Sequence, residues 1–239
     1  MLTVIVIAKE CVPGRVKTRL TPELTFEQAA AVASGSLRDT LDVIRELPAD
    51  RRILAFDGDP ANAPAEAAGF EIIPQATGSL DARLADIFDK CQGPTLLVGM
   101  DTPQLTRGDL APVLAWPQGV DSELPDAWLG LSTDGGFWAL AMANPDGSLI
   151  KGVPMSEDDT GSIQLARLRE AGLTVGLLGS LTDVDTAEDA SLVAGLAPNG
   201  RFATAWQQAV GATRTPGATR TPGAARELGA ARELTGARA

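Results

Sequence analysis

The sequence predicts an α/β fold in which a mixed, mostly parallel sheet is covered by helices on both faces. Three observations carry this expectation. Short apolar runs recur along the chain, and segments with helical spacing separate them. Several of those helical segments open at Ser or Thr, as helix starts do. Hydrophobic residues make up 44% of the 239, enough to bury both sides of a sheet.

Taken in order, residues 2–8 form an apolar first strand that runs into a Gly/Pro loop. Thr25-Phe26-Glu27-Gln28 is a capping box opening a helix, in which Ala30, Ala33, Leu37, Leu41 and Ile44 make one apolar stripe. Further strands are predicted at 52–56, 70–73, 95–98, 128–131, 137–141 and 174–178. Helices are predicted at about 62–68, 80–91, 107–115, 161–171, 187–195 and 201–210. Thr106 with Asp109 and Thr186 with Asp189 mark two of the starts. In such a sheet, ligands bind beyond the carboxyl ends of strands where the strand order switches. The loops that leave strands are therefore the candidates for function.

Residues 1–210 read as one domain. Residues 211–239 differ: ATRTPG at 212–217 repeats at 218–223, and AAREL occurs at 224–228 and 230–234. This low-complexity stretch has too little apolar content for a core and is expected to be a mobile tail.

Composition excludes several chemistries. With no histidine, there is no imidazole acid–base catalysis, no Ser-His-Asp triad and no His-held metal. A metal must then be held by oxygens, which favours Mg²⁺ or Mn²⁺. Cys11 and Cys91 lack metal-site spacing and fit a reducing, cytoplasmic compartment. No apolar run is long enough to span a membrane, and nothing resembles a signal peptide. The net charge of −11 and the absence of Tyr argue against nucleic-acid binding. Charge is unevenly spread: residues 1–200 carry −15 and residues 201–239 carry +4. Within the acidic body, Lys9, Arg15, Lys17 and Arg19 make one local cationic stretch.

That stretch is the first candidate site. It lacks the Walker glycine before Lys17-Thr18 and the dinucleotide fingerprint, yet Gly14 permits a close turn and the cations suit phosphate oxygens. Phosphate binding is a better reading than a solvated loop. Asp101, in Gly99-Met100-Asp101-Thr102-Pro103, follows an apolar strand and suits either a metal or a turn. Asp183 and Asp185 share one side of an extended segment, whose end also suits capping by Thr186. Asp134-Gly135-Gly136 reads first as a hairpin turn, and secondarily as a place where an acceptor approaches the backbone.

Together these motifs resemble a bacterial family of GT-A-type transferases, some of whose members are linked to arsenosugar biosynthesis as glycosyltransferases. The resemblance rests on the Lys9–Leu20 run, Gly99–Leu105, Asp134–Trp138 and Asp183–Thr186, in that order across about residues 2–196. It implies a GT-A, nucleotide-diphospho-sugar-transferase-like fold. It implies Asp101 and Asp185 at a metal, with Lys9, Arg15 and Lys17 along phosphates and Gly14 and Arg19 in the same loop. Gln75, Gly78 and Arg83 match the family's base-side loop. Ser79, Asp81 and Met155 depart from the family pattern, which bears on base or acceptor choice more than on phosphates. Phospholactate guanylyltransferase-like nucleotidyltransferases share the fold and a related loop. The expected activity is thus metal-dependent glycosyl transfer from a nucleotide sugar to an unknown acceptor, with Asp134 as general base. The alternatives are nucleotidyl transfer from a nucleoside triphosphate and a catalytically silent nucleotide-binding module.

Overall fold

The computed structural model describes residues 1–116 and 124–213. Residues 211–213 of the expected tail, including the first two of its repeat, instead close the last helix, and the rest of the tail lies outside the described residues. Seven strands form one sheet: β1 (Thr3–Lys9), β2 (Arg51–Asp57), β3 (Glu71–Pro74), β4 (Thr95–Val98), β5 (Ala127–Leu131), β6 (Phe137–Met142) and β7 (Val175–Leu177). All seven lie at the predicted strand positions. The strand order is β3-β2-β1-β4-β6-β5-β7. β6 runs antiparallel to β4 and β5, while the remaining neighbouring pairs are parallel. The tight connection at Ser132–Gly136 forces that reversal, since a parallel partner needs a long crossover.

Six α-helices lie among the described residues: α1 (Phe26–Arg45), α2 (Leu80–Asp89), α3 (Ala111–Leu114), α4 (Thr160–Glu170), α5 (Ala187–Leu196) and α6 (Arg201–Thr213). Thr25 closes the expected capping box with Gln28 on α1, and Thr186 closes one with Asp189 on α5. Two helix expectations are corrected. The segment 62–68 is a pair of 3₁₀ turns, Pro60–Asn62 and Ala65–Ala67, separated where Pro64 interrupts any continuous backbone ladder. The helix at 107–115 shrinks to α3, because Asp109 ties back to the Thr106 amide and hydroxyl and holds the preceding residues in turns.

The sheet is sandwiched between two apolar layers. On one face the α1 stripe Ala30, Ala33, Leu37, Leu41 and Ile44 packs over Val4, Val6, Leu54 and Phe56. On the other, Leu84 and Phe88 of α2 and Leu168 of α4 cover Ile5, Ile53 and Leu97. Ala29 and Val32 form a second buried side of α1, packed in a third cluster with Val193 of α5 and Phe202 and Trp206 of α6. Gly35 makes the α1–α6 approach possible: a Cβ there would lie 2.8 Å from the Phe202 backbone nitrogen.

This topology positions the site. The chain builds outward from β1 to β2 to β3, then returns to add β4 on the other side of β1. The loops leaving β1 and β4 therefore open next to each other at the carboxyl edge, the switch point at which α/β sheets take ligands.

Candidate functional site

The loop after β1 folds back on itself. Gly14 adopts a φ of 76° and Lys17 a φ of 46°, the latter uncommon for a residue with a Cβ. Val16 and Leu20 are buried and anchor the loop, whereas Lys9, Arg15 and Arg19 are exposed. Lys17 is the exception among the cations, with a side chain only 9% exposed. Its ammonium lies 2.7 Å from Asp101 Oδ1 and 3.3 Å from Asp185 Oδ1. Arg19 Nη1 lies 2.9 Å from Asp185 Oδ2. Burial works to lower the Lys17 pKa, but the two carboxylates outweigh it and hold the value above that of an ordinary lysine.

Three hydrogen bonds fix the acidic pair. Ser36 Oγ on α1 donates to the Met100 carbonyl at 2.6 Å, setting the loop after β4 against α1. The Val184 amide donates to the Asp101 carbonyl at 3.0 Å. Gln104 Nε2 donates to the Thr182 carbonyl at 2.6 Å. The loop after β4 and the segment before α5 are thereby clipped together. Thr186 caps α5 while Asp185 faces Lys17 and Arg19, so capping and charge pairing coexist in neighbouring residues. Ser36 and Gln104 were not identified as positioning residues from sequence. Gln104 lies within the Gly99–Leu105 motif, but Ser36 carries no signal in a helix of small residues.

Because both carboxylates reach one ammonium, their Oδ1 atoms lie within about 6 Å of each other. Among the described residues no cluster of three or more Asp, Glu, Cys or His side chains has metal-site geometry. Carboxylate oxygen is nevertheless the donor type taken by a hard cation of the Mg²⁺ class, which ordinarily binds one or two carboxylates and completes its shell with phosphates and water.

Gln75, Gly78 and Arg83 also converge. Gln75 Nε2 donates to the carbonyls of Ala8 at 2.8 Å and Ala55 at 3.0 Å, bridging the ends of β1 and β2. Arg83 reaches the Gly78 carbonyl at 2.9 Å, Gln75 Oε1 at 3.3 Å and Asp57 Oδ2 at 3.0 Å. Gly78 takes a φ of 116° at this turn. Lys9 and Arg15 make no ion pair among the described residues and remain available to an anion. A cleft of about 260 Å³ opens on the α1 side, lined by Cys11, Phe56, Asn62 and Glu66 among others. Burial, reinforced by the nearby Asp101 charge, pushes the Cys11 thiol up to about 11, which favours the protonated thiol over the thiolate.

Asp134 lies farther along the same edge, exposed at the β5–β6 turn. Its Oδ1 accepts from the Gly136 amide at 2.9 Å, so the turn reading holds. Its Oδ2 makes no hydrogen bond among the described residues. Gly135 packs directly on the Asp158 backbone, and its carbonyl accepts from the Gly161 amide at 2.8 Å. Asp183 is near enough to feel the charges of both Asp134 and Asp185. Burial, then the Asp134 charge, pushes its carboxyl up to about 6. Among the described residues neither its Oδ1 nor the buried hydroxyl of Ser132 makes a hydrogen bond of ordinary geometry, although the Ser132 hydroxyl is near enough to favour the charged carboxylate slightly. Asp183 and Asp185 flank the buried Val184 as the alternation predicted, yet they meet different neighbours.

The sheet order, the switch-point loops and the single reversed strand define a nucleotide-diphospho-sugar-transferase-like fold. Residues 40–157, just under half of the chain, match the family described as "Uncharacterized protein conserved in bacteria (DUF2064)". The match includes Gln75, Arg83, Asp101 and Asp134 but not the cationic loop or Asp185. The fold is shared with a "putative nucleotide-diphospho-sugar transferase" from Desulfovibrio desulfuricans G20, at TM-score 0.74 and 22% identity over 87% of this chain and 94% of that one. It is shared more distantly with 4-diphosphocytidyl-2C-methyl-D-erythritolsynthase from Anaerococcus prevotii DSM 20548, at TM-score 0.53 and 10% identity over 83% and 98%. No curated protein matches the chain. At such identities the likeness concerns the fold alone. Among the described residues no helix is long and apolar enough to cross a membrane.

Proposed function

We propose that residues 1–210 form one metal-dependent transferase unit acting on a nucleotide-activated substrate, with glycosyl transfer from a nucleotide-diphospho-sugar as the first reading. The observation that carries it is the meeting of Lys17, Asp101 and Asp185 at the switch point. Cations from one loop and carboxylates from two distant ones gather where a polyphosphate and its counter-ion would lie.

In this reading Lys9 and Arg15 close onto the phosphates, and Gly14 lets the backbone approach them. Gln75, Gly78 and Arg83 border the nucleoside. Asp101 and Asp185 would hold Mg²⁺ or Mn²⁺, which supplies stabilisation of charge on the departing diphosphate. Asp134, exposed and with Oδ2 unengaged, takes the proton of an acceptor hydroxyl. A second reading, nucleotidyl transfer, is favoured by one observation: three cations beside the phosphates, Lys9, Arg15 and Lys17, suit a triphosphate at least as well as a diphosphate.

The test is incubation with Mg²⁺ and panels of nucleotide sugars and nucleoside triphosphates, followed by phosphorus NMR. Release of nucleoside diphosphate supports glycosyl transfer, and pyrophosphate supports nucleotidyl transfer. Binding by thermal shift without release from any donor, across a panel of hydroxyl acceptors, would leave only the silent module.

A further inference from the structure

We propose that Lys17 is a resident counter-ion that keeps divalent metal off the acidic pair until a nucleotide arrives, so that metal and polyphosphate enter together. The inference rests on the reading of Asp101 and Asp185 as metal ligands. It goes beyond that reading by assigning Lys17 two successive partners.

The argument begins with the geometry. The Lys17 ammonium lies between the two carboxylates at 2.7 and 3.3 Å, and its side chain is almost wholly covered. A divalent ion at the same two oxygens would sit within a few ångströms of that ammonium and repel it, an effect that solvent at the carboxylates, 40% and 38% exposed, reduces but does not remove at such short range. The lysine must therefore leave for the metal to bind. With no anion present, leaving exchanges both ion pairs for hydration alone. A polyphosphate at the neighbouring Gly14–Arg15 turn changes the balance, because it offers the ammonium a new anionic partner as the metal takes the old ones.

Arg19 also holds Asp185, at 2.9 Å, but its side chain is 73% exposed. Solvent therefore screens its contribution more than that of Lys17. The left-handed backbone of Lys17 fits the same picture: a residue with a Cβ is kept at φ 46° where its side chain can reach the pair. The coupling is reciprocal by linkage, so metal should strengthen nucleotide binding by the factor with which nucleotide strengthens metal binding.

The experiment measures Mn²⁺ binding by water-proton relaxation. It uses wild type, Lys17→Met and Lys17→Gly, first without nucleotide and then with panels of nucleoside di- and triphosphates. Lys17→Gly accepts positive φ without strain, so it retains the loop if Lys17→Met disturbs folding, and circular dichroism checks both. Wild type is expected to bind Mn²⁺ weakly alone and strongly with nucleotide. Both variants are expected to bind Mn²⁺ alone on the order of tenfold tighter than wild type, the scale set by removing one close charge. Adding Asp101→Asn to either variant should abolish the gain.

If wild type binds Mn²⁺ alone as tightly as the variants do, the counter-ion role is wrong while the metal-dependent reading stands. If no form binds Mn²⁺ under any condition, the metal-dependent reading falls and takes this one with it.

Discussion

Replacing Gly135 with alanine tests whether the β5–β6 turn is held by backbone contact or merely tolerated as a turn. Gly135 has a φ of 92°, and a Cβ there would lie 2.5 Å from the Asp158 carbonyl carbon and nearer still to its oxygen. Backbone strain accounts for about 1–2 kcal/mol. Forcing the 157–161 segment away adds roughly 1–3 kcal/mol, the range for overpacking a tight contact. Gly69 provides the control, with a φ of 87° and nothing within 4 Å of an added Cβ. Gly69→Ala should show the strain alone, and the difference between the two variants isolates the contact. Urea unfolding followed by tryptophan fluorescence reads both, since Trp128 and Trp138 lie on β5 and β6. The displaced turn carries Asp134 and not the Lys17 pair. Acceptor-dependent turnover should therefore fall while nucleotide affinity stays within about twofold. A Gly135→Ala loss no larger than the Gly69→Ala loss would refute the packing argument.

Three further outcomes are expected. Lys9→Ala and Arg15→Ala, both exposed and without an ion pair among the described residues, should leave stability within about 0.5 kcal/mol of wild type yet weaken nucleotide binding several-fold, as calorimetry would show. Gln75→Ala removes the donor shared by the Ala8 and Ala55 carbonyls and frees one Arg83 contact; a stability loss of about 1–3 kcal/mol is expected by urea titration. Asp183 gives a pH signature. Its folded carboxyl titrates near 6 against an unfolded reference of 3.8, so between these values the folded state keeps a proton that the unfolded chain has released. Stability should therefore fall as pH rises through that window, by about 1–2 kcal/mol once solvent screening is allowed for, and Asp183→Asn should flatten the slope. Urea titrations at roughly pH 4.5 and 7 in a chelator, one inside that window and one above it, on wild type and variant, would check it. An unchanged slope in the variant would assign the effect elsewhere.

Much of the fold was legible because its signals are local. An apolar run with turn residues at its ends is a strand wherever it sits, and Thr25 and Thr186 announce their helices through side chains three residues away. The misread segments, 62–68 and 107–115, are short and interrupted by proline or by side-chain hydrogen bonds, where periodicity has too few residues to speak. Several candidate residues were also local in their signal, Arg15, Lys17, Asp101 and Asp134 standing in loops that leave strands, whereas Arg83 lies within α2 and was indicated only by the family resemblance.

What sequence alone determined is the inventory: oxygen ligands only, one cationic loop, and carboxylates after successive strands. It also determined that the sheet would be covered on both faces, since the strands carry apolar residues in unbroken runs. Tertiary structure decided which of these groups meet. Pairing between β1 and β4 is a long-range choice, and it alone brings the first loop beside Asp101. That Lys17 turns inward to the carboxylates while Arg15 faces solvent depends on loop curvature and on burial of Val16 and Leu20. The divergence of Asp183 and Asp185 was equally invisible, because a carboxylate's electrostatic surroundings come from residues far away in the chain.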